Sequence, residues 1–251
     1  MKKIVAIIPA RWGSTRFPGK PLVPILGKPL IQHVWERCCE AGGLDAVIVA
    51  TDDMRIAQAA FDFGAEVSIT KSSHQTGTDR LGEVAARLRG VSHVINVQGD
   101  EPAIDPTLIS KLAGTLRIEP KIQMITASAA FPAKADRSNP NQVKVITDVA
   151  GNAIYFSRCA IPFVREKSAA AHPRQHLGIY GYELRFLKQF VAWKPTPLEK
   201  SESLEQLRAV EHAVKIRVVE AARRSTGVDT PDDIAGAIKD LRALYRRRAG
   251  K

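Results

Sequence analysis

Cysteine is scarce in this sequence of 251 residues, and its three cysteines are poorly placed for pairing. Cys38 and Cys39 are adjacent within a predicted helix, Cys159 lies far along the chain, and no Cys-x-x-Cys spacing occurs. Adjacent residues on a helix are poor disulfide partners. The pattern argues against a disulfide framework and predicts reduced thiols in a cytosolic protein.

Long apolar runs are also missing. The first apolar run meets Pro9 and Arg11 at once, which is not the pattern of a signal peptide. No stretch approaches the roughly 20 apolar residues that a membrane-spanning helix needs. We therefore expect no membrane insertion and a cytoplasmic protein.

Aromatic residues make up only 6% of the chain, although the net charge is +11. Few aromatic side chains means few stacking platforms for nucleic acid, and no nucleic-acid-binding motif is recognisable. Part of the positive excess lies near the end of the chain, where arginines favour the C-terminal dipole of a helix. We expect no nucleic-acid partner, and an anionic substrate accounts for other basic residues.

What the sequence does contain is a β-branched run at residues 4–8, typical of a parallel strand buried on both faces. Cations, hydroxyl groups and glycines gather in the loop after it: Arg11, Gly13, Ser14, Thr15, Arg16, Gly19 and Lys20. The carboxyl end of a parallel strand is where open α/β sheets bind ligands, and this combination suits a polyphosphate. Five residues separate Gly13 from Gly19, so the spacing is not that of a P-loop. A solvated basic loop is the alternative.

Strand and helix patterns then alternate along the chain, which predicts an α/β fold with a mostly parallel central sheet in three layers. Strands are predicted over 46–50, 65–70, 91–97 and 216–220, and helices over 54–63, 184–193 and 203–213. A strand at 123–131, a hairpin at 143–157 and a strand at 176–183 read as antiparallel. We predict one domain, 1–251, with a smaller lobe at approximately 123–182.

Polar residues at 74–78 precede a predicted helix that Thr78 would cap. Their donors and acceptors beside a helix N-terminus suit a base edge or a phosphate, and an ordinary capped turn is the alternative. Further on, the residues Glu199, Glu202 and Glu205 share one predicted helix face, and most of this row is expected to be solvated. His176 by itself is more typical of a structural histidine.

Two aspartates stand out as metal candidates. Asp100 follows an apolar parallel strand and Gly99, so it lies at the ligand-binding edge of the sheet, where a carboxylate can hold a divalent metal against phosphates. Asp105, by contrast, precedes Pro106 and is predicted to cap a helix. Asp229 precedes the predicted cap Thr230 and has no capping role of its own.

Eight motifs, in order over nearly the whole chain, resemble those of the 3-deoxy-manno-octulosonate (KDO) cytidylyltransferases, also called CMP-KDO synthetases. They are IPARWGSTRFPGKPL, HQTGTDR, NVQGDEP, NPNQVKV, YFSRCAIP, HLGIYGY, SLEQLR and GVDTPDD. The resemblance implies the nucleotide-diphospho-sugar transferase type of sheet and a homodimer to which the smaller lobe contributes. It also implies a Mg²⁺-dependent reaction of CTP with KDO that gives CMP-KDO and pyrophosphate for lipopolysaccharide synthesis.

Site residues follow from the same resemblance. The residues implied for CTP are Ala10, Arg11, Ser14, Lys20, Gly77, Thr78 and Arg80, with Arg11 and Lys20 on the phosphates. Those implied for the sugar acid are Gln98, Arg158, His176, Tyr180, Glu205 and Gln206, with Arg158 as the counter-ion of its carboxylate. Asp100 and Asp229 would ligate Mg²⁺ and, with Lys20 and Arg11, form the catalytic group. No covalent intermediate is required, so the cysteines have no catalytic role.

Two alternatives remain. The first is a CMP-activating enzyme for another acidic sugar, such as 8-amino-KDO or a sialic-acid-like sugar; the motifs YFSR, HLGIYGY and SLEQLR argue against it. The second is a basic nucleic-acid-binding protein that keeps the fold without turnover. The presence of both Asp100 and Asp229 counts against that reading.

Overall fold

A computed structural model describes residues 3–13, 16–132, 135–166 and 173–249. Its strands are β1 (Lys3–Ala10), β2 (Pro24–Ile25), β3 (Lys28–Pro29), β4 (Ala46–Thr51), β5 (Glu66–Ile69), β6 (Val91–Asn96), β7 (Met124–Ala130), β8 (Lys144–Thr147), β9 (Ala153–Ser157), β10 (Arg174–Glu183) and β11 (Ile216–Glu220). The helices are α1 (Leu30–Cys39), α2 (Met54–Asp62), α3 (Gly77–Arg87), α4 (Pro106–Ile118), α5 (Leu184–Ala192), α6 (Pro197–Glu202), α7 (Gln206–Glu211) and α8 (Ile234–Ala249). Short 3-10 turns occupy Lys20–Leu22 and Pro231–Asp233.

The central sheet has the strand order β11-β7-β10-β6-β1-β4-β5. Strand β1 pairs in parallel with β4 and β6, whereas β10 runs antiparallel between β6 and β7. Hydrophobic clusters cover both faces, because Ile4 and Ile8 of β1 point into one and Val5 and Ile7 into the other. The predicted three-layer α/β fold with a mostly parallel sheet is confirmed.

The predicted hairpin at 143–157 is confirmed as β8 and β9, which pair antiparallel and turn around Asp148. Strand β8 also pairs with β10, so the hairpin extends from the central sheet. Strands β7 and β10, at the two ends of the segment 123–182, are strands of that sheet. A role of this segment as a dimerisation lobe stays a prediction.

The cap of α3 differs from the prediction. Thr76, not Thr78, is the N-cap, because its hydroxyl accepts from the Asp79 N–H while the Asp79 carboxylate accepts from the Thr76 N–H. This Thr-x-x-Asp box satisfies two end groups at once and outweighs a start at Thr78. Thr78 thereby falls in the first helical turn, where its hydroxyl is free to contact another element.

The helix predicted over 203–213 is shorter in the structure, as α7 (Gln206–Glu211), and the predicted solvated row of glutamates is wrong. Helix α6 ends at Glu202, and its C-cap Ser203, whose φ of 49° is left-handed, separates it from α7. The break turns the three carboxylates toward protein partners. Glu199 is buried against Arg208, with Nε–Oε2 and Nη2–Oε1 distances of 2.8 and 2.5 Å, and Glu202 accepts from the Ser157 hydroxyl at 2.6 Å.

The predicted cap of α4 is confirmed. Asp105 caps α4 by accepting from the Thr107 N–H at 2.9 Å, with Pro106 in the first turn. All three cysteines are free, Cys38 being buried and the other two exposed. Within the described ranges, no helix combines the length and the apolar composition that crossing a bilayer requires.

Candidate active site

A cavity of about 270 Å³ opens at the carboxyl ends of β1 and β6. Its lining includes eight of the residues predicted for the site: Ala10, Arg11, Lys20, Gly77, Arg80, Gln98, Asp100 and Asp229. Among the seven other lining residues, Arg16, His74, Gln75 and Thr76 belong to the two loops whose composition predicted phosphate or base binding. Ser14 lies outside the described residues.

Close backbone packing brings the loop after β6 to the end of β1. A Cβ atom on Gly99 would lie 2.5 Å from the Pro9 carbonyl oxygen, closer than any side chain tolerates. Gly77, at the start of α3, also approaches Pro9, so a Cβ there would lie 3.4 Å from the proline Cγ. Glycine at position 99 is therefore required for the loop after β6 to meet the end of β1, whereas a Cβ at position 77 would make only an ordinary contact.

The two predicted metal ligands meet around one cation. Lys20 Nζ lies 2.9 Å from Asp100 Oδ2 and 3.5 Å from Asp229 Oδ1. Arg16 Nη2 lies 3.3 Å from the same Asp229 oxygen. A backbone hydrogen bond of 2.8 Å from the Val228 N–H to the Asp100 carbonyl ties the two acidic loops together.

This geometry fits a divalent cation bound together with a nucleotide. Two carboxylates that both contact one ammonium group can also ligate one metal ion. The described residues contain no cluster of three or more carboxylate, imidazole or thiol ligands, so an ion here needs oxygens from another source. Magnesium is commonly held by one or two carboxylates, with phosphate and water oxygens completing its shell.

The N-terminal end of α3 forms another wall of the cavity. Unpaired N–H groups and the helix dipole make such an end attractive to anions. Arg80, one turn into the helix, is only 3% exposed and donates to Asp52 Oδ2 at 3.0 Å and to the Thr70 hydroxyl. Arg80 therefore lines the cavity while its guanidinium is held by Asp52 and Thr70.

His74 is held at the cavity by an acidic partner. Its Nε2 lies 2.5 Å from Glu83 Oε2, one and a half turns along α3. The pKa of Glu83 lies below its ordinary value, chiefly because its carboxylate accepts from the Lys71 N–H and then because of His74. The pairing is tertiary, so nothing in the local sequence pattern identified it.

A second group of predicted residues lies on β10 and α7. The Thr78 hydroxyl donates to Glu205 Oε2 at 2.5 Å, which joins this group to α3. Tyr180 stacks on Tyr182 with centroids 5.9 Å apart, and its ring lies 5.4 Å from that of His176. Gln98, which lines the cavity, donates to the Gly178 carbonyl at 3.2 Å. These contacts place the group next to the cavity.

Burial disfavours the charged forms of the titratable members of this group. The pKa of His176 is lowered to about 3 by desolvation, and that of Tyr180 is raised well above its ordinary value by desolvation and by Glu205. Glu205 likewise has a raised pKa, mainly through burial, although Thr78 and Arg208 oppose the rise. His176 Nε2 also lies 3.0 Å from the Thr126 hydroxyl, consistent with a positioned neutral ring.

Gln206 and Arg158 differ in how their polar atoms are used. Gln206 is buried, and its Nε2 has no hydrogen-bond partner among the described residues. Arg158 is not among the residues lining the cavity; its guanidinium donates to the carbonyls of Glu202, Pro140 and Ser203. Arg158 thus joins β9 to the turn between α6 and α7.

Comparison with known proteins supplies the family. A family model described as "Cytidylyltransferase" matches residues 5–216. The 3-deoxy-manno-octulosonate cytidylyltransferase of Geobacter sulfurreducens is 48% identical over 249 residues, covering 95% of this chain and 99% of its own length. The protein of the same name from Syntrophobacter fumaroxidans is 49% identical over 244 residues, covering 95% of this chain and 97% of its own.

Solved structures agree with these relatives. A CMP:2-keto-3-deoxy-manno-octonic acid synthetase complexed with CTP superposes with a TM-score of 0.89 at 40% identity, covering 98% of this chain and 99% of that one. A cytidylyltransferase from Leptospira borgpetersenii, at 15% identity and a TM-score of 0.64, shares the fold, with 99% of this chain and 96% of that one covered. The chain belongs to the cytidylyltransferases, and within them to the 3-deoxy-manno-octulosonate cytidylyltransferase family.

Proposed function

We propose that this enzyme joins CTP and KDO to give CMP-KDO and pyrophosphate, activating KDO for lipopolysaccharide synthesis. Family membership supports the reaction, and the solved relative bound to CTP supports the nucleotide. The observation that carries the proposal is the convergence of Lys20, Asp100 and Asp229 at the mouth of the cavity. These groups come from three segments that are far apart in the sequence.

In this reaction the anomeric hydroxyl of KDO attacks the α-phosphorus of CTP. A new P–O bond forms, the bond to the β-phosphate breaks, and pyrophosphate leaves with its electron pair. The two substrates are both negatively charged, KDO through its carboxylate and CTP through its triphosphate, so neutralisation and alignment are the main requirements. We assign the triphosphate to Arg11, Lys20 and the N-terminal end of α3, with Ala10, Ser14, Gly77, Thr78 and Arg80 completing the CTP site.

Asp100 and Asp229 are the proposed Mg²⁺ ligands. The ion would neutralise phosphate charge and lower the pKa of the attacking hydroxyl. Lys20 supports this assignment, because its ammonium lies against both carboxylates and shows that the site accommodates positive charge. We propose that Lys20 contacts phosphate oxygens once the carboxylates hold another cation.

The sugar site is proposed beside Gln98, over β10 and α7. His176, Tyr180, Glu205 and Gln206 would contact its hydroxyl groups, and the unpartnered Nε2 of Gln206 is a donor that a sugar oxygen can satisfy. Arg158 is proposed as the counter-ion of the sugar carboxylate. A guanidinium has five N–H donors, and the three hydrogen bonds to carbonyl groups leave others available.

We further propose that the enzyme is a homodimer and works in the cytoplasm, where CTP is available. Large apolar side chains are exposed on and after the β8–β9 hairpin, namely Val149, Ile154, Phe163 and Val164. We propose that a second copy of the chain covers these side chains. Sedimentation velocity across a concentration series measures the mass, and a monomer at every concentration would contradict the dimer.

The test is Mg²⁺-dependent pyrophosphate release from CTP with and without KDO. We expect KDO-dependent release in the wild type and a loss of more than about 100-fold in Asp100→Asn and Asp229→Asn, since charge stabilisation of this kind contributes roughly that much. Asp232→Asn is the matched control, because Asp232 is an exposed carboxylate three positions from Asp229. It should stay within about twofold of the wild type.

Other results would redirect the assignment. Release with another acidic sugar but not with KDO would keep the reaction and change the acceptor. No release with any acidic sugar, together with salt-sensitive nucleic-acid binding, would contradict the enzyme proposal.

A further inference from the structure

The indole ring of Trp12 is clamped between two parts of the chain. On one side the Arg55 guanidinium carbon lies 3.4 Å from the ring centroid. On the other side is Gly19, where a Cβ atom would lie 3.0 Å from the ring carbon Cη2. Gly19 has a left-handed φ of 71°, which glycine adopts without strain. The ring therefore fills the space between the loop and α2.

The same two loop residues are joined through the backbone. The Gly19 N–H donates to the Trp12 carbonyl at 3.1 Å, closing the loop between them. Arg11 and Lys20 flank this closure directly in sequence, and both line the cavity. Any contact that holds Trp12 against Gly19 therefore also fixes the backbone positions of Arg11 and Lys20.

Arg55 is itself held in one orientation. Its Nε and Nη2 donate to the two carboxylate oxygens of Asp53 at 2.9 and 2.7 Å. Asp53 is in turn fixed as the N-cap of α2, accepting from the Arg55 N–H at 2.9 Å. A bidentate arginine presents a planar face in a set direction, which is what stacking on an indole requires.

We propose that Trp12, Arg55 and Asp53 form a positioning clamp that sets the two ends of the 11–20 loop in the CTP-binding conformation before the nucleotide arrives. The identity of the nucleotide rests on the proposed function. None of the three clamp residues is among those lining the cavity in the described part of the chain, so they act through Arg11 and Lys20. They are positioning residues, and their contribution is preorganisation of the loop.

Preorganisation affects ground state and transition state alike, so it changes CTP affinity more than kcat. We expect Arg55→Ala to raise the Kd and KM for CTP about fivefold, as an exposed cation–π contact allows, with kcat within about twofold. Trp12→Ala should weaken binding further, about tenfold, and Trp12→Phe should restore most of the affinity because it keeps a ring. Arg55→Lys should fall between Arg55→Ala and the wild type.

A control variant distinguishes the loss of the stacking contact between Arg55 and Trp12 from the loss of one positive charge. Lys188→Ala removes one exposed positive charge from α5, away from the cavity lining. Its Kd for CTP should remain within about twofold of the wild type. An equal loss in Lys188→Ala and Arg55→Ala would overturn the clamp in favour of general attraction for the polyanion.

Limited trypsin digestion measures how accessible the loop is to cleavage in the absence of nucleotide. Arg16 is exposed, and the Arg16–Phe17 bond is a tryptic site within the loop. Cleavage there should be at least about fivefold faster in Arg55→Ala than in the wild type or in Lys188→Ala, each with the same thermal midpoint. A purely structural role of Arg55 would instead lower the midpoint without selective cleavage at this bond.

Each outcome bears on one proposal. Wild-type cleavage and wild-type CTP affinity in Arg55→Ala overturn the clamp. If the wild type does not bind CTP at all, the proposed function fails, and the trypsin comparison still decides the clamp. Should Trp12→Ala fail to fold, Arg55→Ala decides alone, because Arg55 is a surface residue whose loss leaves the core intact.

Discussion

At the scale of single residues, the site depends on the absence of a side chain at position 99. Gly99 has no Cβ, and this alone allows the loop that carries Gln98 and Asp100 to pass against the Pro9 carbonyl. Position 99 therefore links backbone packing to the placement of a proposed metal ligand. The clash of a methyl group there is with the Pro9 backbone, which cannot rotate away as a flexible side chain can.

Gly99→Ala is expected to destabilise the protein by about 1–3 kcal/mol, the usual cost of overpacking, because the loop or β1 must shift. The shift displaces Asp100, and kcat/KM should fall about 100-fold, as displacements near 1 Å do in active sites. Gly114→Ala is the control, since a Cβ there meets nothing within 4 Å in helix α4 and should stabilise by about 0.5–1 kcal/mol. Urea unfolding and steady-state kinetics measure both. Wild-type kinetics in Gly99→Ala would contradict the packing argument.

His176 makes a prediction about pH. Its pKa is about 3 in the folded protein against an ordinary value of 6.5, because burial disfavours the charged ring. Between these values the unfolded chain binds the proton and the folded protein does not, so stability falls as pH drops below 6.5. The loss reaches about 1.4 kcal/mol per pH unit.

His176→Gln removes this titration. His176→Gln is expected to differ from the wild type by some amount at pH 7, and its stability relative to the wild type should then rise by about 2.5 kcal/mol by pH 4.5. Comparing the two proteins isolates His176 from Glu101, whose pKa is raised to about 7 chiefly by burial and then by Asp100, and which therefore acts in the opposite direction. Urea unfolding at several pH values gives the two curves, and parallel curves would refute the prediction.

At the scale of elements, the region after α5 shows what a local pattern misses. The spacing of Glu199, Glu202 and Glu205 suggested one helix face, but Ser203 adopts a left-handed conformation and divides the helix. No glycine or proline marks the break, so propensity gave no signal for it. What stabilises the break is tertiary: Glu199 pairs with Arg208 across the turn, and Glu202 accepts from Ser157 of β9.

The buried pair gives a test of this element. Arg208→Met should destabilise the protein by about 3–5 kcal/mol, because Glu199 would be left charged and buried without its partner. The double variant Glu199→Gln with Arg208→Met should recover part of that loss. Lys28→Met, which removes one partner of the more exposed pair Lys28–Glu36, should cost less than about 1 kcal/mol. Urea unfolding distinguishes these cases; equal losses for Arg208→Met and Lys28→Met would contradict the role of burial.

The elements that a local sequence pattern identifies were predicted correctly. Unbroken apolar runs identified β1, β4 and β6, and Asp105 followed by Pro106 identified the start of α4. The cap of α3 was misplaced by two residues because Thr76 and Thr78 both suit a cap, and only the reciprocal bond with Asp79 distinguishes them. Strand β10 was identified, but its antiparallel place between β6 and β7 depends on contacts far apart in the chain.

At the scale of the whole molecule, the site is a product of topology. Strand β11 pairs with β7 at the edge of the sheet, and the loop after β11 returns to Asp100 through the Val228 hydrogen bond. Residue types and strand ends predicted Asp100 as a metal candidate, but its meeting with Asp229 followed only from resemblance to a family. Asp100 and Asp229 are more than a hundred residues apart, so their separation in sequence does not show whether they are close in space.

Because the cavity joins segments from both ends of the chain, nucleotide binding should stabilise the whole fold. A ligand at 100 times its Kd adds about 2.7 kcal/mol, or a rise of roughly 5–10 °C in Tm for a protein of this size. We expect CTP with Mg²⁺ to produce this rise in the wild type and in Lys188→Ala. Lys20→Met should keep its nucleotide-free Tm within a few degrees yet show less than half the rise. Differential scanning fluorimetry across a CTP series measures both. A full rise in Lys20→Met would mean that Lys20 does not hold the nucleotide, and the phosphate site would have to lie elsewhere along the cavity wall.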